Sequence, residues 1–179
     1  MYTINLFEDS KVRKRLILTQ FIVALVFIVL SYKWSMALTG LEEKNIIANL
    51  IIGILGLLVL VVIQELIRYV LLRLLYTKAR PKYKLTPSFI LSYLPDVKMN
   101  RKSFSTIMLL PSMLVSMMLL LAFINLPNTY IIFIFSFYMG YTFLSVYLVI
   151  LVFSNKQAQS IELTEEGLVI CCDESKNKD

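Results

Sequence analysis

The sequence predicts an all-α membrane protein with about four transmembrane helices and a small C-terminal β-hairpin. Hydrophobic residues make up 58% of the 179-residue chain, and the mean hydropathy is +0.74. Soluble domains are usually only about 45–50% apolar. The apolar residues stand in four long runs separated by short polar segments. This pattern is typical of helices that cross a bilayer rather than of one large soluble core.

The first two apolar runs follow a basic N-terminal segment, residues 1–15. We expect the first transmembrane helix over residues 16–38, because this run is longer than the apolar part of a signal peptide and no small-residue cleavage site follows it. The second run, residues 46–63, would cover about 27 Å as a helix, enough to cross the bilayer core. Its helical pattern continues to Tyr76, so this helix is predicted to leave the bilayer core around Gln64.

The third and fourth spans are predicted over residues 103–126 and 129–153, with a tight turn containing Pro127 between them. Pro111 interrupts the third span and Gly140 lies near the middle of the fourth. Both residue types are tolerated inside a span when neighbouring helices cover the loosened backbone. We therefore expect the two spans to be packed against other helices at these positions.

Two segments outside the spans are predicted to contain further structure. The loop at residues 77–102 is the most basic part of the chain, and its prolines divide it into short pieces. Within this loop, residues 88–94 are an apolar patch, either a short strand or a segment that lies on or dips into the membrane. In the polar tail, residues 154–179, the alternating segment 160–164, a turn at 165–167 and the apolar run 168–172 predict a hairpin over about residues 160–172.

Positive charge is concentrated on one side of the predicted topology. The chain has 18 Lys and Arg against 12 Asp and Glu, and the N-terminal segment and the loop at 77–102 hold most of the positive residues. In the short loops at 42–44 and 125–128, Lys44 is the only positively charged residue. The positive-inside rule therefore predicts a multi-pass protein of the cell membrane, with a transmembrane domain over 16–153 and both termini in the cytoplasm.

The same charge distribution predicts which partners the chain contacts. Positive residues that lie beside apolar runs face anionic lipid headgroups, so we expect the bilayer to be the partner of the basic loop. Nucleic acid is not expected, because nucleic-acid-binding charge should lie on a soluble face.

One strongly polar cluster lies within a predicted span and consists of Gln64, Glu65 and Arg68. Positions 64 and 68 share a helix face, and Glu65 and Arg68 are close enough to pair. An ionisable group at membrane depth is costly and by default marks a functional site. The alternative is that the cluster already lies at the headgroup level, where an ion pair with snorkelling arginines costs little.

The segment Gln64-Glu65-Leu66-Ile67-Arg68 has the frame of the H-E-x-x-H motif with both histidines replaced. In that motif, two histidines on one helix face bind zinc and the glutamate activates water. At this point the chain resembles a family of small bacterial membrane proteins described as zincin-like peptidases. The resemblance covers about residues 40–172 and rests also on Ser92-Tyr93-Leu94-Pro95, Arg101-Lys102-Ser103-Phe104, Leu109-Leu110-Pro111 and Thr164-Glu165-Glu166-Gly167.

The resemblance implies a zinc site, but its ligand positions are replaced in this chain. Gln64 and Arg68 stand at the two histidine positions, and Tyr141 stands where the family tends to have an aspartate as a third ligand. Arginine stays protonated and cannot bind a metal, and the chain contains no histidine. Only Glu65 remains. The sequence therefore predicts no metal, no cofactor and no catalytic residue, with these four positions as relics of a site.

These residues favour a non-catalytic, zincin-like protein, a pseudoenzyme that acts by binding a membrane protein or a peptide. Two alternatives stay open. The first is an active intramembrane metallopeptidase with an unusual ligand set that includes Cys171 and Cys172. The second is a small transporter or a subunit of a transporter complex. With four spans and no inverted repeat, such a transporter would need a homo-oligomer or a larger partner.

Overall fold

Four long helices account for most of the fold. The computed structural model describes residues 2–4, 10–40, 45–77, 81–86, 89–93, 97–125, 128–155, 158–164 and 168–172. Its helices are α1 (Ser10–Thr39), α2 (Ile46–Leu75), α3 (Arg101–Asn125) and α4 (Thr129–Ser154). All four are long and apolar enough to cross a membrane. The predicted helical membrane fold is therefore confirmed.

The helix bounds differ from the predicted spans mainly at the N-terminus. α1 begins at Ser10, inside the segment that the sequence analysis set apart as residues 1–15. Hydropathy marks where a chain contacts lipid, whereas a helix continues wherever its backbone hydrogen bonds can form. The prediction from hydropathy therefore did not include the polar first turns of α1. α2 continues past its apolar run as predicted, and its end is closed by Tyr76 N donating to the Leu72 carbonyl at 2.8 Å.

α4 is the central helix, and α1, α2 and α3 each pack against it. Two glycines permit the closest approaches. A Cβ added at Gly140 would lie 2.6 Å from the backbone carbonyl oxygen of Gln20 on α1. A Cβ added at Gly53 on α2 would lie 2.6 Å from the Cβ of Phe133 on α4. Small residues allow this close approach of helix backbones, as is common in membrane bundles.

Two small antiparallel sheets lie in the polar segments. Their strands are β1 (Tyr2–Ile4), β2 (Lys82–Thr86), β3 (Phe89–Tyr93), β4 (Ala158–Leu163) and β5 (Leu168–Cys172). β4 and β5 form the predicted C-terminal hairpin, and β1 adds to it in the order β1-β5-β4. The sequence did not predict β1, because three residues are too few to show strand alternation.

The basic loop contains the second sheet, a hairpin of β2 and β3. Of the two interpretations of residues 88–94, the structure shows a strand over Phe89–Tyr93. Ser88 and residues 94–96 lie outside the described residues, as do the predicted turns at 126–127 and 165–167, Glu42–Lys44, and residues 173–179.

The three-stranded sheet packs against one end of the helix bundle. Ile161 and Leu168 belong to the same buried apolar cluster as Leu72 of α2, which lies one helical turn beyond Arg68. The backbone of Met99 exchanges two hydrogen bonds with Ile161, at 2.7 and 2.8 Å. The sheet is therefore fixed to the segment that precedes α3, and it covers the end of the bundle that lies nearest to the polar cluster.

Candidate functional site

The polar cluster lies on the face of α2 that is packed inside the bundle. Gln64, Glu65 and Arg68 are only 0, 6 and 3% exposed, whereas Leu66 and Val70 on the opposite side of the helix are 59 and 53% exposed. Arg68 does not extend to the surface, as the snorkelling alternative would require. The structure instead encloses the cluster between α2 and its neighbours, which is the arrangement expected for polar groups at membrane depth.

Gln64 connects three helices through its side-chain amide. The Tyr138 hydroxyl of α4 donates to Gln64 Oε1 at 2.7 Å, and Gln64 Nε2 donates to Ser112 Oγ of α3 at 3.1 Å. Ser112 Oγ also donates to the carbonyl of Met108 at 3.3 Å. Both ends of the amide are therefore bonded, which avoids the cost of an unpaired polar group in an apolar interior.

Glu65 and Arg68 form a buried ion pair within α2, in which Arg68 Nη1 donates to Glu65 Oε1. Arg68 Nη2 reaches across to Ser145 Oγ of α4 at 3.4 Å. Arg68 Nε has no hydrogen-bond partner in the part of the chain that the structure describes. The pair leaves no net charge in the interior, and removing one member of such a pair typically costs about 3–5 kcal/mol.

Position 141 lies on the face of α4 that is turned towards α2. Residues at intervals of three and four share one side of a helix, so Tyr138, Tyr141 and Ser145 lie along one face. Tyr138 contacts Gln64, and Ser145 contacts Arg68. Tyr141 stands between these two contacts along α4 and packs against the buried core. Gln64, Glu65 and Arg68 therefore lie together, and Tyr141 lies on the face of α4 that is turned towards α2.

The sequence analysis missed three residues of this site: Ser112, Tyr138 and Ser145. A signal for them exists, because hydroxyl side chains inside apolar spans commonly hydrogen-bond to neighbouring helices. The chain has several such residues in its spans, however, and their sequence separation from α2 ranges from 48 to 77 residues. Only the packing of the helices identifies which of them reach the cluster.

The residues of the cluster do not fit a zinc ion. A catalytic zinc site has about three protein ligands, drawn from histidine, cysteine and carboxylate side chains. Glu65 is the one such side chain beside Gln64 and Arg68, and it is already paired with a guanidinium that would repel a cation. Among the described residues, no group of three His, Cys, Asp or Glu is placed to hold a metal. Cys171 and Cys172 lie on β5, but their side chains are outside the described part.

The cluster is also separate from an apolar groove of about 300 Å³ between α1 and α3. The groove is lined by residues such as Phe27, Trp34, Phe123 and Phe135, and none of the cluster residues lines it. The groove contains only apolar surface and a single serine, Ser31.

Comparison with known protein families finds a match over a region that contains the cluster. Residues 57–161 match the family described as "Putative zincin peptidase". The matched region contains the cluster and position 141. No curated protein and no solved structure matches the chain.

Proposed function

The chain belongs to the family described as "Putative zincin peptidase". We propose that it is a non-catalytic member that acts by binding a membrane protein or a peptide. Its four apolar helices make it a multi-pass membrane protein. The alternatives, an active metallopeptidase with another ligand set and a small transporter, stay predictions that no feature of the described residues favours.

The observation that supports a non-catalytic role is that the side chains at the H-E-x-x-H positions are already bonded to other side chains of the protein. A zinc peptidase needs an open metal position and a glutamate that is free to activate water. Here Glu65 is bonded to Arg68, and Gln64 is bonded to Tyr138 and Ser112. At the two ligand positions, Gln64 joins α2 to α3 and α4 and Arg68 joins it to α4, while Glu65 is held in an ion pair within α2.

The description of the matched family, "Putative zincin peptidase", supports a peptide-like partner. Because the zinc-ligand positions are replaced in this chain, the activity we propose is binding without cleavage. We propose that this partner is a membrane protein or a peptide, and that the chain regulates it or shields the membrane from it.

We also propose that both termini face the cytoplasm of a cell membrane. Exposed cations cluster at the end of the bundle that carries the three-stranded sheet, and they include Lys14, Arg15, Arg73, Lys98 and Lys102. In the described part of the opposite half, Lys33 is the one Lys or Arg. This asymmetry favours a cytoplasmic position for the basic end, next to anionic lipid headgroups.

Metal analysis of the purified protein tests the non-catalytic role. We expect far less than one zinc per chain after purification without chelator, and about one tightly bound zinc per chain would contradict the proposal. A second assay compares the wild type with the double variant Glu65→Gln/Arg68→Met, which removes both charges together. A candidate partner that co-purifies in mild detergent should stay uncleaved with both proteins, whereas cleavage seen only with the wild type would indicate a peptidase.

Thiol labelling tests the orientation, because the tail carries Cys171 and Cys172. A membrane-impermeant maleimide should label them only after the cells are opened. The control is Asn128→Cys in a Cys171→Ser/Cys172→Ser background, which should be labelled in intact cells. The opposite labelling pattern would place the termini outside the cytoplasm.

A further inference from the structure

The buried carboxylate of Glu65 raises the question of what neutralises it. Glu65 is 6% exposed and lies in an apolar helix, where an unpaired charge is strongly unfavourable. In an H-E-x-x-H helix, a zinc ion bound between the first and last positions supplies positive charge beside the glutamate. In this chain the residue at the last position, Arg68, supplies that charge through its own guanidinium.

The hydrogen bonds of the cluster also replace the mechanical effect of a metal. A metal bound by two residues of α2 and one residue of another helix joins those helices together. Here Gln64 reaches Tyr138 on α4 and Ser112 on α3, and Arg68 reaches Ser145 on α4. The two former ligand positions therefore still join α2 to its neighbours, now through hydrogen bonds.

The third ligand position that the family resemblance implies, residue 141, can be compared with these contacts. The side chain at 64 meets residue 138, and the side chain at 68 meets residue 145. Residue 141 lies between these two contacts on the same face of α4. A metal held by positions 64 and 68 of α2 must lie between them. A ligand at position 141 of α4 would face that place.

We propose that Arg68 acts as a tethered cation in place of a metal, in a cradle formed by positions 64, 68 and 141. The cradle keeps its geometry, so that the bundle is stable without metal and zinc binding returns when ligands are restored. This inference rests on the proposed non-catalytic function, because it assumes that the wild-type protein holds no zinc.

Restoring the ligands tests the geometry of the cradle. The triple variant Gln64→His/Arg68→His/Tyr141→Asp supplies two imidazoles and one carboxylate at the three positions. We expect it to bind about one zinc per chain and, after exchange with cobalt, to show the absorption bands of a tetrahedral site. The matched control is Leu66→His/Val70→His, which has the same spacing on the exposed face of α2 and should bind little metal.

A folded triple variant that binds no more zinc than this control would overturn the inference. If the wild type itself carried one zinc, the proposed function would fail first. A zinc-free wild type together with a zinc-free, folded triple variant would refute only the cradle.

A second measurement applies if the triple variant does not fold. Arg68→Met removes the cation that pairs with the Glu65 carboxylate and should lower the Tm in detergent by roughly 10 °C. Adding Glu65→Gln removes the buried negative charge as well and should restore at least half of that loss in Tm. Lys33→Met, which removes an exposed cation at the other end, should leave the Tm unchanged. If Arg68→Met and Arg68→Met/Glu65→Gln lowered the Tm equally, Arg68 would not be needed as a counter-ion.

Discussion

The packing of α1 against α4 makes a sharp prediction for Gly140→Ala. An added methyl group would lie 2.6 Å from the carbonyl oxygen of Gln20 and 3.0 Å from the Cβ of Ala24. Ordinary contacts begin at about 3.4 Å, so the helices must separate by about 0.8 Å at this point. Neither atom can move away by rotating a side chain, because one is backbone and the other is fixed directly to it.

The expected change in the free energy of unfolding is the difference of two opposing effects. Overpacking of a close contact costs about 1–3 kcal/mol, while replacing glycine by alanine inside a helix gains about 0.8–1.0 kcal/mol. The net result should be a loss of about 1 kcal/mol, which corresponds to a Tm lower by roughly 2–4 °C for a chain of this size.

Gly56→Ala is the matched control for this experiment. Its added methyl group would lie 2.7 Å from Cγ1 and 2.8 Å from Cδ1 of Ile134, so the contact is with a side chain and not with a backbone. Rotation about χ2 can move Cδ1, although χ1 of a β-branched residue is nearly fixed in a helix. We therefore expect its Tm to fall less than that of Gly140→Ala. The assay is thermal unfolding in detergent, followed by the fraction that remains monodisperse on size exclusion. A Gly140→Ala protein as stable as Gly56→Ala would refute the reasoning.

Three further predictions concern single polar groups. Tyr138→Phe removes the donor to Gln64 and should destabilise the bundle by about 1–2 kcal/mol, measured by thermal unfolding; an unchanged Tm would show that this bond contributes nothing. Ser136→Ala removes a buried hydroxyl without a hydrogen-bond partner in the described part, so the Tm should stay equal or rise, and a clear fall would reveal a missed partner. Met99→Pro removes the N–H that donates to the Ile161 carbonyl and should expose the C-terminal sheet to limited proteolysis, whereas Met99→Leu should not.

The polar cluster shows where prediction from sequence succeeds and where it stops. Spacing alone placed Gln64 and Arg68 on one helix face and paired Glu65 with Arg68, because three- and four-residue intervals in a helix are local geometry. The depth of the cluster stayed open between a buried site and a snorkelling ion pair. Burial depends on which helix covers that face, and the covering residues Ser112, Tyr138 and Ser145 lie far away in the sequence.

The strands show the same limit on a smaller scale. The tail hairpin was predicted because its first segment alternates and a short turn joins it to an apolar run. Its third strand, β1, comes from the opposite end of the chain. Pairing between segments so distant leaves no local pattern, so it became visible only in the folded structure.

The sequence by itself determined the four apolar helices and the loss of every histidine ligand, since both follow from residue type and spacing along one chain. Only the tertiary structure decided what fills the ligand positions. It packs α3 and α4 over α2, bonds Gln64 to two other helices, and leaves Glu65 with Arg68 as its ion-pair partner in the interior. The physical reason is that an apolar interior offers no water, so each buried polar group must find its partner among side chains that folding brings together.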